Sequence, residues 1–514
     1  MDIWRGQHSR TAVIGLAFVA FVVCCVLPAA YLLATTLGAA RSAYAVVALD
    51  SRQQGLLFTT ALLGLGTAAL ATAIGTPLGI VLARVPLRRK GVVRVLAGAP
   101  VLLPPYIVAL AWVNLGWDRP SEWTYSLPAA IVILSLVLYP LSMLATEVAM
   151  RRIDGRLEEA GLIVAPPGRV LRRITLPLVA PSVIAAALVI FVLAVSEFGV
   201  PGLLRVRVYT TEVFTAFAAF YDFSRAIALS VPLLVLCVAV AAVAAALLGD
   251  RLVTTRRSLA LSPVVFHTWR RPALASVVLV VAIAVALPML ILVREALGAR
   301  SLASATGAVD AIVNSLLLSA VGATVIVAVA VCLGYAQARA SHGVRHATQA
   351  LLVVLFAVPS TIIGVGLIGL WNRPGPFGGL YGTDAMLLLA YLARFVPVAT
   401  LILAATTQTV SVSQEEASAV SGVGWLRTVR GIVLPQLRVG VAAAWVVAFV
   451  LAFGELGASI LVAPPGEATL PIRIYTIIAN TPSSNVAVLA LLQSAVIFGP
   501  VAAFGAVASM RESR

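Results

Sequence analysis

The sequence predicts an all-α membrane protein, with about twelve transmembrane helices arranged as two parallel six-helix repeats. Three observations carry this expectation. Of 514 residues, 61% are hydrophobic and only 11% are charged, and mean hydropathy is +1.05, which leaves too little polar surface to coat a water-soluble globule. The apolar residues fall in long runs, and a helix needs roughly 20 of them to cross hydrocarbon. A polar segment set between such runs occurs twice. Residues 157–177 open on Leu157-Glu158-Glu159-Ala160 and close on Ile174-Thr175-Leu176-Pro177, while 415–435 open on Glu415-Glu416-Ala417-Ser418 and close on Ile432-Val433-Leu434-Pro435.

The first apolar run, from about Ala12 to Thr35, follows Arg5 and Arg10 and is longer than a signal-peptide core, so it predicts a retained helix. Further runs lie near 56–83, 95–117, 126–149, 181–203 and 226–248. The second half repeats them near 273–293, 311–337, 347–371, 384–408, 439–462 and 486–508. Individual residues repeat in the same order. Leu78-Gly79 with Ala83-Arg84 returns as Leu333-Gly334 with Ala338-Arg339, and Phe191-Val192-Leu193-Ala194 returns as Phe449-Val450-Leu451-Ala452. A period of half the chain reads as an internal duplication. It divides the chain into a first repeat (1–250), a basic linker (251–271) and a second repeat (272–514). Pro104 and Pro359 fall inside the third spans and predict kinks. Gly75 and Gly79 form a small-xxx-small pattern suited to close helix packing.

The formal charge of +16 does not indicate nucleic acid, because the basic residues are scattered through short loops. They read as topology signals. Arg88-Arg89-Lys90, Arg151-Arg152, Arg172-Arg173, Arg256-Arg257 and Arg270-Arg271 fall on one side, which places both termini and both polar segments in the cytoplasm. Cys24, Cys25, Cys237 and Cys332 lie in apolar runs and read as small buried hydrophobes. His8, His267, His342 and His346 read as loop residues with no ligand clustering, and no metal site is expected. The single lysine, Lys90, stands between Arg89 and Gly91, so there is no Gly-Lys-Ser/Thr to hold nucleotide phosphates. No loop has room for a soluble catalytic domain.

Each polar segment reads as a short helix on the cytoplasmic tips of two spans, with acidic residues early and basic residues late, as the helix dipole favours. Two copies at matched positions point to docking of a partner. The pattern Glu-Ala-Ala, a Gly, then Ile-x-Leu-Pro resembles the cytoplasmic loop of ABC importer permeases that work with a solute-binding protein. The second copy matches at Glu416, Ala417, Gly422, Ile432, Leu434 and Pro435, with Ser418 in place of Ala. The first matches at Glu158, Ala160, Ile174, Leu176 and Pro177, with Glu159 in place of Ala and Val164 where the Gly falls.

The resemblance spans nearly the whole chain as two fused halves and implies a type I ABC importer permease fold in the bacterial inner membrane. It also implies that each loop is held by one of two separate ATPase subunits, which bind the ATP and Mg, so that this non-catalytic chain needs no cofactor. A periplasmic or lipid-anchored solute-binding protein would deliver the solute. A single chain with both halves is similar to the ferric-iron type, as is the stretch from Gly454-Glu455-Leu456-Gly457 to Arg473-Ile474-Tyr475. Ferric iron is therefore the first expectation, ahead of aminoalkylphosphonate, thiamine, polyamine or an oxyanion.

Ionisable residues within spans point to a pathway. Glu197 and Glu455, 258 positions apart, are expected near the outer ends of the fifth spans. There they either face one another across a pore or accept backbone hydrogen bonds at a loosened helix end. Arg394 has Val137 as its counterpart and reads as a partner for an acid or an anionic solute. Glu212, Asp222 and Arg225 belong to an outside loop. The rival reading is a secondary transporter driven by an ion gradient, which also uses parallel repeats but has no need of two docking loops.

Overall fold

The computed structural model describes residues 2–38, 51–116, 123–248, 266, 269–298, 308–375, 378–466 and 468–512. Among these residues there is no strand. Most of the expected linker, 251–265 and 267–268, lies outside the described residues.

Two series of ten helices run in the same order. The first comprises α1 (Arg10–Thr35), α2 (Ser51–Arg84), α3 (Lys90–Leu102), α4 (Pro105–Val113), α5 (Leu127–Arg151), α6 (Gly155–Val164), α7 (Pro167–Ser196), α8 (Gly199–Leu203), α9 (Tyr209–Ala218) and α10 (Phe223–Ala244). The second comprises α11 (Arg270–Leu297), α12 (Val309–Ala338), α13 (His342–Ala357), α14 (Ser360–Trp371), α15 (Asp384–Thr407), α16 (Val412–Val420), α17 (Trp425–Phe453), α18 (Ser459–Val462), α19 (Leu470–Ile477) and α20 (Ser483–Ala503). Ten of these helices are long and apolar enough to cross a bilayer, and the pairs α3/α4 and α13/α14 bring the count to twelve.

Those pairs differ from the kinks that the sequence predicts. The chain bends by 81° between α3 and α4 and by 93° between α13 and α14. The cause is local. A residue before proline is pushed out of the helical region, so Leu103 (ψ 131°) and Val358 (ψ 123°) are extended, and Pro104 and Pro359 follow with ψ of 127° and 141°. Two successive extended residues break a helix where one proline alone would tilt it.

The duplication extends to irregular structure. A five-residue π-turn interrupts α1 at Val22–Val26 and α11 at Ala282–Ala286, and another interrupts α7 at Leu171–Thr175 and α17 at Val429–Val433. The polar segments therefore do not end on their prolines. Pro177 and Pro435 sit in the first turn after a π-turn, inside the fifth span.

Within each half the second and fourth spans pack closest, α2 along α5 and α12 along α15. Glycine makes this possible: a Cβ on Gly79 would lie 2.5 Å from the Met143 carbonyl oxygen, and one on Gly334 would lie 2.8 Å from the Ala404 nitrogen. The halves are tied by exchange, since α1 packs on α12 and α17 while α11 packs on α2 and α3. Tyr139, fully buried, donates to the Ala97 carbonyl at 2.8 Å and braces α5 against α3. His342 and His346, expected in a loop, lie on the first turns of α13 with facing Nε2 atoms 3.1 Å apart. His8 is helical, and His267 is outside the described residues.

Gly79→Val places new carbons against backbone, which cannot yield as a side-chain end can. A loss of ~1–3 kcal/mol is expected, read as a lower melting temperature and poorer monodispersity in detergent. Gly98→Ala, whose Cβ would meet nothing within 4 Å, should leave both unchanged.

Candidate coupling loops and the buried charge cluster

Helix α6 starts at Asp154, whose side chain accepts from the Arg156 amide at 3.1 Å. This N-cap fixes Glu158 in the first turn, turned inward and fully buried. Arg84, the last residue of α2, donates to Glu158 at 2.8 Å and to the Met150 carbonyl at 3.2 Å, and the Thr175 hydroxyl donates to Glu158 at 2.7 Å. The Glu158 carboxylate thus joins α6 to α2 and to the π-turn of α7, and Arg84 adds the end of α5.

The second copy reproduces the arrangement with other residues. Arg339, just past α12, donates through Nε to Glu415 at 3.0 Å and through its Nη2 to the Val410 carbonyl at 3.0 Å. Tyr335 donates to Glu415 at 2.7 Å and receives the Trp425 indole N–H at 3.1 Å. Glu415, not Glu416, is therefore the structural counterpart of Glu158. The repeat spacing read from the prolines is 258, whereas α6 and α16 begin after Asp154 and Ser411, 257 positions apart. The second loop holds one extra residue, in the turn where Gly422 adopts φ 75°.

The remaining motif residues are distributed as follows. Glu159, Ala160, Glu416 and Ala417 are exposed on their helices, and Pro177 and Pro435 are exposed at the start of the next span. Ile174, Leu176, Ile432 and Leu434 are half-buried, and Ile174 packs so closely on Gly161 that a Cβ there would lie 2.7 Å from it. Gly161 has Ser418 as its counterpart, which is buried and hydrogen-bonded to Thr428 at 2.7 Å. Three apolar residues at the loop tips are bare: Ile163 is 84% exposed, Val164, which the motif reading took only as a substitute for Gly, 82%, and Val420 90%. Their signal was an apolar end to an otherwise polar helix, and such bare patches mark contact surfaces.

Glu197 and Glu455 lie just beyond the fifth spans, which end at Ser196 and Phe453. Glu197 accepts from the Val200 amide at 3.1 Å. Glu455 accepts from the amides of Ala458 and Ser459 at 3.0 and 2.9 Å and from the Ser459 hydroxyl at 2.6 Å. Each carboxylate therefore serves the amides that open the short helix after the break, α8 or α18. Arg394, on α15, lies within electrostatic reach of both acids, and its Nη1 has no hydrogen-bond partner among the described residues. Glu455 is buried, whereas Glu197 and Arg394 keep partial exposure. The two halves meet here. Tyr106 of α4 donates to Gln493 of α20 at 2.5 Å, Gln493 donates to the Phe453 carbonyl at 3.2 Å, and Phe198 and Tyr475 place their ring centres 5.4 Å apart. Glu212 and Asp222, expected in an outside loop, are engaged: Glu212 on α9 pairs with Arg52 at 2.9 Å, and Asp222 accepts from the Arg225 amide at 2.9 Å.

Removing one partner of a buried ion pair leaves an uncompensated charge, at a cost of roughly 3–5 kcal/mol. Arg84→Gln should approach that loss, because its pair is 5% and 0% exposed. Arg339→Gln should lose less, since its pair is 11% and 14% exposed and water reaches it. Thermal unfolding of the two purified variants compares them directly, and equal losses would contradict the difference in burial.

Comparison with known proteins follows the same division of the chain. A family described as "Binding-protein-dependent transport system inner membrane component" matches twice, at residues 75–255 and 330–508. Among relatives, the Fe(3+)-transport system permease protein FbpB 2 of Haemophilus influenzae is 24% identical over 444 residues, covering 82% of this chain and 84% of its own. A putative ABC transporter permease protein, ORF1, of Streptomyces antibioticus is 32% identical over 220 residues, covering 42% of this chain and 92% of its own. The molybdenum transport system permease protein ModB of Escherichia coli K12 is 29% identical over 154 residues, covering 27% and 67%. With both halves matched and the candidate spans of the described residues falling in two series, this chain belongs to the binding-protein-dependent transport system inner membrane components, as two permease halves fused in one polypeptide.

Proposed function

We propose that the chain is the membrane subunit of an ATP-driven importer in which two separate ATPase subunits, carrying ATP and Mg, each grip one of the loop helices α6 and α16. A solute-binding protein delivers the cargo on the opposite side. Both termini and both loops then lie in the cytoplasm, in keeping with the arginine distribution. The observation that carries this reading is the pair of apolar tips, Ile163 with Val164 and Val420, each on a helix held to the spans by an arginine–carboxylate latch.

The geometry suits a lever. Displacement of α6 acts on α2 through Arg84 and on α7 through Thr175. Helix α7 then runs from the loop to Glu197, which holds α8 at the seam between the halves. At 1.5 Å per residue a helix of this kind carries the motion over roughly 40 Å. Helices α16 and α17 do the same toward Glu455 and α18. Opposed movement of the two fifth spans would open the seam to one side and close it to the other, with Glu197, Arg394 and Glu455 beside the path.

Ferric iron is the proposed cargo, supported by the relative named for Fe(3+) transport that covers most of this chain. Aminoalkylphosphonate, thiamine, polyamine or an oxyanion is the alternative, and relatives named for molybdenum and phosphate transport match shorter stretches. An ion-gradient transporter remains the rival class.

The test is reconstitution with the proposed ATPase and binding-protein partners. Ile163→Asp and Val420→Asp should each weaken ATPase association at least tenfold, about 1.4 kcal/mol, without lowering the melting temperature of the isolated permease. Together they should abolish nucleotide-driven uptake of radioactive iron. Uptake that proceeds without any ATPase would overturn the proposal in favour of gradient coupling.

A further inference from the structure

A cavity of about 660 Å³ opens on the flank of the molecule, between α1, the end of α12 and the start of α13. Its walls are apolar, with Ile14, Phe18, Phe21, Leu333, Leu351 and Leu352, and Arg10 stands at its rim. Its size falls within the roughly 300–1,000 Å³ of ligand sites. Thr11, Gln337, Thr348 and Thr400 add polar groups to the lining, and two of these are buried. Gln337 is 6% exposed and Thr400 1%, and neither Gln337 Oε1 nor Thr400 Oγ1 has a hydrogen-bond partner among the described residues. Leaving such groups unsatisfied is costly.

The internal repeat supplies a control. At the positions corresponding to Gln337 and Thr400, the first half has Leu82 and Met143, both fully buried. The fold therefore builds this contact from apolar residues in one copy, and the polar pair in the other copy calls for a different explanation. The cavity also adjoins the second latch. Ile14, like Trp425 and Val429, packs against the small buried cluster that contains Tyr335, and α1 rests on the start of α17.

We propose that this groove is a binding site for an anionic phospholipid, phosphatidylglycerol, from the leaflet beside the coupling loops. Basic pockets between spans on that side suit acidic headgroups. The acyl chain lies against Phe18, Phe21 and Leu352, and the phosphate faces Arg10. Gln337 Oε1 is an acceptor and needs a donor, which the glycerol headgroup hydroxyls provide and a choline headgroup does not. The Thr400 hydroxyl, deeper in the groove, donates to an ester carbonyl. A lipid so placed wedges α1 against α12 next to the Arg339–Glu415 pair.

The experiment is native mass spectrometry of the full permease released from vesicles of equal phosphatidylglycerol and phosphatidylcholine. Wild type should retain phosphatidylglycerol over phosphatidylcholine by roughly fivefold, the preference one near-surface arginine supports, and Arg10→Gln should remove most of it. Gly15→Phe should abolish retention, because Gly15 lines the groove and a Cβ there meets nothing within 4 Å. Gln337→Leu, which restores the residue type of the first half, keeps the test valid if Gly15→Phe folds poorly, and it should reduce retention while leaving the melting temperature in lipid-free detergent unchanged or higher. Equal retention of the two lipids by wild type, or undiminished retention in a folded Gly15→Phe or Gln337→Leu variant, would overturn the site.

Discussion

Inside a bilayer a backbone amide that is not bonded to protein has no water to turn to, and that constraint governs where this molecule can be irregular. Among the described residues the chain breaks at Pro104, Pro359, Glu197 and Glu455, of which Pro104, Pro359 and Glu455 are buried and Glu197 is half-buried. Two are breaks at proline, which brings one fewer amide to satisfy. At the other two a carboxylate takes up amides that helix geometry leaves free: Glu197 serves α8, and Glu455 serves α18 with three donors. The acids are thus part of what permits short helices to meet at the seam. That structural work does not consume Arg394, whose guanidinium stands near both and keeps one nitrogen unengaged among the described residues.

The same economy explains the latches. A buried ion pair returns little net stability, since desolvation offsets attraction, and its contribution here is geometric. Glu158 receives Arg84 and Thr175 at once, and Glu415 receives Arg339 and Tyr335. The first loop helix is therefore held from two spans, α2 and α7, whereas both of these bonds hold the second from α12 and the Ser418–Thr428 hydrogen bond ties it to α17. A hydrophobic contact would hold it as tightly but would allow sliding, whereas hydrogen bonds of fixed direction transmit small displacements.

The sequence disclosed much of this through hydrophobic length and repetition. The candidate spans among the described residues and their repeated order are legible, because apolar runs of bilayer length are the strongest pattern a chain can carry. The breaks were less legible. Pro104 and Pro359 were visible, but whether a proline tilts or breaks a helix depends on the ψ of its neighbours, which packing decides. The register of the second loop was misread by one residue for a similar reason. Ile432, Leu434 and Pro435 align with the first copy at a spacing of 258, yet Ser411 and Glu415 align at 257, and only the contact with Arg339 shows which glutamate turns inward. Ile163 and Val420 went unremarked, and Val164 was noted only as a departure from the motif, because aliphatic residues carry no signal among so many until exposure singles them out.

The copies are nonetheless not equivalent, and the differences run one way. In the first half the latch is sealed from water, and Glu147 adds a second tie, accepting from Arg94 at 2.7 Å and Arg151 at 2.6 Å. Its counterpart in the second half is Ala404, and the Arg339–Glu415 latch there is partly exposed. The loop turns differ in the same sense, Pro166-Pro167 in the first against Gly422 at φ 75° in the second. Proline narrows the conformations open to a turn, whereas glycine widens them. Gene fusion makes such divergence possible, because two halves in one chain can no longer exchange places and each is free to specialise. The first loop is built as the stiffer arm and the second as the more compliant one. The second is also the one over which α1 lies, so the compliant arm is braced from outside by a helix of the other half.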